Sequence, residues 1–462
     1  MKDSYQKFEV ASAKPEKDPN IFRQTWKWWF LVLLCLSQMG QLYNSQAIPT
    51  LQVPFEREMG MNEITYSYLV IAETMPGFVF PLIGGLLVDY FGASKSFLAT
   101  NLFIVLGQSI CAFAAYEKSL LIFIIGKVIF NSASEAAQLA RSKIVRIWYI
   151  NNDVGRALGA AVVMQTMAVI VCDLVYPNLY EFTQSLGFPF LVGVFVCVGS
   201  AFFCVKCVLM HRKLLTLEGG DAVEDEGNKK ISFKVIKNFP PIIWYLLGAA
   251  SLGVDAFIIV KMYLGKYLQE SYKFSIGQSG AFLAFSSVLT GVATPLAGFL
   301  TDKYGRLPMF LNISVGLIQS GVFFTIVTPR CEGCYWPALP IALMSMGLGP
   351  LLIAGYSSLV RIIDEKELGI ATALIPVVIS AEVIVLVLIV GRVANATHDV
   401  YGYNIVFTLA LIVGLSGLFI GFLTQWKDAK GDRKLSKRIG PAPSLDTTLD
   451  GGDEQPEESF RA

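Results

Sequence analysis

Gly85-Leu86-Leu87-Val88-Asp89-Tyr90-Phe91-Gly92-Ala93-Ser94-Lys95 and Gly298-Phe299-Leu300-Thr301-Asp302-Lys303-Tyr304-Gly305-Arg306 share the skeleton G-x-x-x-D-x-x-G followed by a basic residue. Each closes a long apolar run, and Asp89 and Asp302 lie 213 residues apart. A second pair follows the same spacing. Val145-Arg146-Ile147, with Gly155 beyond it, answers Val360-Arg361-Ile362, with Gly369 beyond it, at offsets of 215 for the arginines and 214 for the glycines. Two halves of the chain therefore run in the same direction with almost no slippage. A parallel repeat of this length in an apolar chain points to alternating-access transport.

Composition agrees. With 54% hydrophobic and 16% charged residues and a mean hydropathy of +0.55, the chain is too apolar for an ordinary soluble domain. Twelve windows are long enough to cross a hydrocarbon core, which takes roughly 17–25 residues each. They are spans 1 to 12, at 28–50, 66–90, 96–115, 119–146, 156–178, 188–210, 241–266, 277–301, 309–328, 336–360, 369–392 and 403–426. Prolines fall inside some of them, as Pro76, Pro81 and Pro295 do, and membrane helices tolerate these because neighbours re-satisfy the freed backbone groups. The first apolar run follows a polar stretch and reads as a retained helix, not a cleaved signal peptide. The expected fold is an all-α membrane protein with twelve transmembrane helices in two parallel-repeat six-helix bundles. Its parts would be a cytoplasmic tail at 1–27, a first bundle at 28–210, a cytoplasmic linker at 211–239, a second bundle at 240–426 and a disordered cytoplasmic tail at 427–462.

Most of the 37 Lys and Arg fall on one side when both ends are cytoplasmic, among them Lys143, Arg146, Arg156, the linker lysines and Lys427 through Arg438. The net charge of +1 says little as a total; its asymmetry across the bilayer sets the orientation. No nucleic-acid partner is implied. Glu218-Gly219-Gly220-Asp221 and the acids after it make the middle of the linker too polar to fold alone, while a short amphipathic piece is expected after Lys229.

A rocking scaffold is symmetric and a solute is not, so binding should fall to polar groups that are not repeated. Shifted by about 214 residues, Glu135 meets Gly349, Glu73 meets Ser287, Asp255 meets Gln41, Lys261 meets Ala47 and Glu382 meets Ala168. Each charge is unmatched, and charges in the bilayer interior are costly unless paired or wet. In span 4, Lys127, Asn131, Ser134, Glu135, Gln138, Arg141 and Ser142 recur at steps of three and four and form one polar stripe. Arg141 would lie roughly 9 Å from Glu135 along the axis at about 1.5 Å per residue, so a zwitterion could put its amine on Glu135 and its carboxylate on Arg141. Structural ion pairs with other helices are the competing reading. Gln138, Asp255, Gln41 and Tyr43 complete the expected solute-binding set. Lys261 reads equally as a binding group or as a side chain reaching for the interface. Glu73 and Glu382 are isolated acids that would carry protons or couple helices.

The doubled hinge has a physical role of its own. An Asp at the cytoplasmic end of a helix favours a nearby helix N-terminus or a cation and so makes a breakable latch. Gly85, Asp89 and Gly92 would form one latch, and Asp302, Lys303, Gly305 and Arg306 the other. Tyr90 stands where the second copy has Lys303, which makes the first latch the weaker one.

These loops after spans 2 and 8 resemble the signature of the major facilitator superfamily, and the resemblance covers the whole membrane portion. It implies two six-helix bundles around a central cavity, a transporter and not an enzyme, and no cofactor. Glu58-Met59 with Asn62, Pro76, Gly84-Gly85 and Asp89, Gly126 with Ser134-Glu135, Leu264-Gly265-Lys266 and Glu367-Leu368-Gly369 are most similar to its lysosomal dipeptide-transporter branch. That resemblance implies a lysosome-like endomembrane in preference to the plasma membrane, uniport of dipeptides or amino-acid metabolites, and a glycosylated accessory membrane subunit. The branch places an arginine on span 5, where this chain reads Met164-Gln165-Thr166-Met167. Either Arg141 takes over the carboxylate or the substrate differs.

Six of the eight cysteines fall in spans as ordinary buried thiols, and the Cys331/Cys334 pair in an outside loop favours a local disulfide over a metal site. Asn395-Ala396-Thr397 is a glycosylation sequon expected on the outside loop after span 11. His211 and His398 are expected in loops, which argues against a histidine proton relay. The rival functions are an organic-anion or sugar transporter of the same fold and a non-transporting membrane receptor or partner. A membrane enzyme ranks last, because no metal-ligand cluster, nucleophile elbow or phosphate loop is found.

Overall fold

Gly92 and Gly305 end their helices with φ of 81° and 69°, conformations that side chains with a Cβ resist. The doubled motif is thus a doubled helix stop, and it sets the register of each half in the computed structural model. Residues 19–149, 153–218, 233–363, 367–431, 433 and 435–436 are described.

Spans 2 to 6 are Glu63–Phe91, Ala93–Tyr116, Leu120–Trp148, Asp153–Thr183 and Gly187–Glu218. Spans 7 to 12 are Pro241–Tyr272, Ile276–Tyr304, Leu307–Val327, Ala338–Ile362, Leu368–Tyr401 and Asn404–Lys430. Among the described residues, ten helices are long and apolar enough to cross a membrane; they are spans 3 to 12. Span 2 and a segmented span 1 bring the crossings to twelve. Spans 2 and 8 open with matching capping boxes, Asn62 with Thr65 and Ser275 with Gln278, so the repeat extends to helix starts as well as stops.

Span 1 departs from the continuous helix expected at 28–50. It begins at Pro19 and runs as Pro19–Leu36, Met39–Tyr43 and Ala47–Thr50, followed by a lumenal helix, Gln52–Met59. Side chains replace the broken ladder. Ser37 Oγ donates to the Leu34 carbonyl (2.7 Å), Asn44 Nδ2 to that of Gly40 (2.7 Å) and Ser45 Oγ to that of Leu42 (2.7 Å). The early start exposes Trp26, Trp28 and Trp29 near the end of the span, where indole rings suit a membrane–water interface.

Packing repeats pair by pair. Span 3 lies on 4 and 6, span 2 on 4 and span 1 on 6; span 9 lies on 10 and 12, span 8 on 10 and span 7 on 12. Close approach repeats too. A Cβ on Gly107 would stand 2.6 Å from the Phe130 nitrogen, and one on Gly321, 214 residues later, 2.8 Å from that of Met344. The two bundles meet along two seams, span 2 with 11 and span 5 with 8.

One hydrophobic core runs through the part of the first bundle away from the doubled hinges and into the second, joining Tyr66 and Tyr43 to Tyr263 and Leu264. A separate core, with Phe30 stacked on Trp148, belongs to the half of the first bundle nearer the hinges. The bundles thus share apolar packing at the end away from the hinges, and the molecule is closed there.

Several expectations change at helix ends. Span 6 continues past residue 210, so His211 is a buried helical residue whose Nδ1 accepts from Trp148 Nε1 (2.9 Å), not a loop residue. Asn395 sits within the helix of span 11 and not on a following loop. The tail is ordered through Lys430, and Leu435 and Ser436 dock on the second bundle. In the linker, Phe233–Asn238 forms a 3-10 turn; residues 219–232 lie outside the described residues. Cys331 and Cys334 are joined by a disulfide.

Candidate solute site in the central cavity

Beneath the closed end lies a cavity of about 520 Å³, within the range of small-molecule sites. Its first-bundle wall is Ser45, Gln46 and Pro49 from span 1, Tyr66, Glu73 and Thr74 from span 2, and Asn131 and Glu135 from span 4. Phe257, Lys261 and Met262 from span 7, Leu348 and Leu352 from span 10 and Ser380 from span 11 supply the rest.

The charges divide into spent and unspent. Lys127, fully buried, pairs with Glu73 at 2.9 Å and lies 5.3 Å from the centre of the Phe130 ring, while Asn131 Nδ2 donates to the Glu73 carbonyl (3.0 Å). Glu73 is therefore tied to a neighbouring helix, the second of its two expected roles. One turn below Asn131, Glu135 reaches the cavity with no ion pair or hydrogen bond among the described residues. From the other bundle Lys261 lines the same cavity with no ion pair or hydrogen bond among the described residues, its charge close enough to act on the buried Asp173 of span 5. An acid and a base, one from each bundle, line the same 520 Å³.

The remaining expected solute ligands lie elsewhere. Gln138 is exposed one turn below Glu135, and Arg141 lies lower in span 4, its charge close to Cys35 of span 1. Neither lines the cavity. Tyr43 is buried within the first bundle against Tyr176, their rings 5.2 Å apart, and Gln41 does not reach the cavity wall. The break at Asn44–Gln46 resets the helical phase, so Ser45 and Gln46 take the places a continuous helix would give to other residues. Asp255 is fully buried in the second bundle with its carboxyl beside that of Glu382, so these two unmatched acids face each other and not the solute.

At the closed end, away from the doubled hinges, the bundles are tied at four places. Lys266 Nζ of span 7 lies 2.7 Å from Glu56 and 2.5 Å from Glu63, with Glu270 at 3.9 Å. Tyr403 donates to the same Glu63 oxygen (2.7 Å), and Gln52 Nε2 reaches both Glu56 (3.1 Å) and Glu63 (3.4 Å). Tyr66 donates to the Met262 carbonyl (3.2 Å). At the 5/8 seam, Glu181 accepts from the Gly277 N–H at the start of span 8 (2.8 Å), where the helix dipole favours an anion, and Ser287 donates to the buried Asp173 (2.8 Å). Sequence reasoning missed this lock because its members lie in four different elements and meet only when the bundles pack; Lys266 entered it only through a family string.

At the opposite end Asp302, Lys303 and Arg306 are exposed, and Arg306 is left-handed at φ 49°. Asp302 lies near Arg361 of the same bundle. The Gly85 and Asp89 positions lie on the span 2 helix, with their surroundings outside the described residues.

The model of the Major Facilitator Superfamily matches residues 30–375 and 262–450. The lysosomal dipeptide transporter MFSD1 of Danio rerio is 21% identical over 417 residues, covering 86% of each chain, and that of Mus musculus is 22% identical over 382 residues, covering 79% of this chain and 80% of that one. Among solved structures, a POT peptide transporter in complex with sulfate is 13% identical with a TM-score of 0.68, covering 88% of this chain and 96% of that one. The nucleoside transporter NupG is 12% identical with a TM-score of 0.68, covering 86% and 99%. Repeat, bundle pairing and central cavity agree with the match over nearly the whole membrane portion: the chain belongs to the major facilitator superfamily.

Proposed function

We propose that this transporter carries small zwitterionic solutes, dipeptides or related amino-acid metabolites, and that the structure is its lumen-closed state. The observation that carries the reading is that Glu135 from one bundle and Lys261 from the other line one cavity. An ammonium on Glu135 and a carboxylate on Lys261 would each gain a charge-assisted hydrogen bond away from bulk water. Lys261 thereby takes the role that Arg141 holds in the sequence reading. Binding groups on both bundles also give the solute a means of favouring closure around itself, because only a ligand that touches both can shift their equilibrium. The names of the MFSD1 relatives support dipeptides as cargo and a lysosomal membrane as location. The Asp255–Glu382 pair belongs to helix or proton coupling inside the second bundle, and Asp89 and Asp302 are the cytoplasmic latches that close when the lumenal lock opens.

The test is uptake of a labelled neutral dipeptide into proteoliposomes, alongside its N-acetylated and C-amidated forms. Glu135→Gln should abolish the advantage of a free amine, and Lys261→Gln that of a free carboxylate. A wild type that takes up neither form, or discrimination between termini that survives both substitutions, removes the reading. An organic anion that needs Lys261 but is indifferent to Glu135 would replace it.

A further inference from the structure

After span 12 the chain turns back on the second bundle, and the turn hangs on one buried carboxylate. Asp428, on the last turns of span 12, accepts the Leu435 N–H at Oδ1 (3.0 Å) and the Ser436 hydroxyl at Oδ2 (2.5 Å). The Leu435 side chain is fully buried, and its carbonyl accepts from the Leu307 N–H (3.2 Å) and from Arg361 Nη1 (3.2 Å). The Arg306 N–H reaches the Ser436 carbonyl at 3.4 Å. Arg306 and Leu307 form the hinge at the end of the second doubled motif, and Arg361 is the arginine of the repeated V-R-I. The strap therefore staples both repeated motifs of the second bundle together from the cytoplasmic side.

Ser436, only partly buried, closes the sequence Arg433-Lys434-Leu435-Ser436, followed by Lys437-Arg438. Basic residues two and three places before a serine are the charge pattern that kinases with acidic substrate grooves select. We propose that Ser436 is a phosphorylation site and that its phosphate releases the strap from the hinge. In the transfer, Ser436 Oγ attacks the γ-phosphorus of ATP, the bond to the ADP oxygen breaks, an Oγ–P bond forms, and the hydroxyl proton leaves to the kinase's base. The hydroxyl that donated to Asp428 is then gone. In its place stands a group carrying a charge of about −1.5 to −2 beside a carboxylate, an arrangement that like-charge repulsion opens.

The experiment treats the full-length protein in nanodiscs with a purified serine kinase of basic-substrate preference and Mg–ATP. Mass spectrometry locates the phosphate, and amide hydrogen exchange follows the strap. Phosphate on Ser436 with exchange at Leu307 and Leu435 faster by on the order of tenfold supports the proposal. Ser436→Ala should take no phosphate in this segment and keep slow exchange at Leu307. Phosphorylated Ser436 with exchange unchanged or slowed overturns it. So does a Ser436 that stays unmodified both in the wild type and in Asp428→Asn, where the strap is loosened.

Discussion

Replacing Lys266 by Met should open the lumenal side. Lys266 is 8% exposed and holds Glu56 and Glu63, themselves mostly or fully buried, at 2.7 and 2.5 Å across the bundle interface. Methionine keeps the length and apolar stem and removes the charge, leaving the carboxylates buried without a cation. Removing one partner of a buried pair costs about 3–5 kcal/mol, because the desolvated charge that stays behind is uncompensated. That penalty applies only while the gate is shut, since water reaches the acids once it opens. The ratio of lumen-open to lumen-closed molecules should then rise by about two to three and a half decades at ~1.4 kcal/mol per decade. Spin labels at exposed Glu117 in the first bundle and Glu332 in the second report the lumenal separation by pulsed dipolar spectroscopy. Lys266→Met should add a long-distance population that Lys266→Arg does not. The Glu63→Gln/Lys266→Met double variant should return part of the way, since the orphaned charge is gone. A Lys266→Met distribution matching the wild type would refute the assignment of the lock.

The lock should also respond to pH in an unexpected direction. Burial pushes the Glu56 carboxyl above its ordinary range, with Lys266 pulling the other way. The shut gate thus holds the Glu56 proton more tightly than the open, hydrated gate would. This contribution to closure is fully present below the ordinary carboxylate value and is lost as pH rises through the raised one. Acidifying the lumenal side from neutral toward about pH 5 should therefore increase the closed fraction, and Glu56→Gln should flatten the response; a gate that opens on acidification contradicts it. Inside the first bundle, Lys127→Met orphans Glu73 and should lower unfolding stability by roughly 3–5 kcal/mol, measured by denaturant titration in micelles. If Lys127→Met unfolds no earlier than the wild type, the pair contributes nothing to stability.

The repeat was legible because helix stops are local. A glycine at positive φ and a hydrophobic run before it leave the same mark wherever they occur, so the offset near 214 gave spans and bundles together. The site was only partly legible, for two physical reasons. Face assignments assume one helical phase, and span 1 loses phase where Ser37, Asn44 and Ser45 bond to their own backbone; this placed Tyr43 on the wrong side and hid Ser45 and Gln46. Pairing is a tertiary fact. Nothing near Glu73 in sequence announces Lys127, and Asp255 and Glu382 become partners only when spans 7 and 11 pack. Glu135 stands out in the sequence because it is unmatched in the other half, and it lines the cavity.

The two halves differ where the work is done. The unwound part of span 1 corresponds, at the shift of 214, to the middle of span 7, a continuous helix from Pro241 to Tyr272. One half loosens its backbone to show Ser45 and Gln46 to the cavity; the other keeps its helix and shows Lys261. The seams differ in the same way. Spans 2 with 11 and 5 with 8 are symmetry mates, and Glu63 in the first corresponds to Gly277 in the second. At Gly277 the bundles are held by a carboxylate on a helix N-terminus, a contact that needs no cation. At Glu63 they are held by Lys266 in a cluster with excess acid. Lys266 itself corresponds to Gln52, which bonds to the same Glu63, so one lock draws equivalent positions of both halves onto a single carboxylate. A seam that depends on one lysine is the one a substitution can release, and the seam that depends on a helix end is the one about which the bundles would then turn.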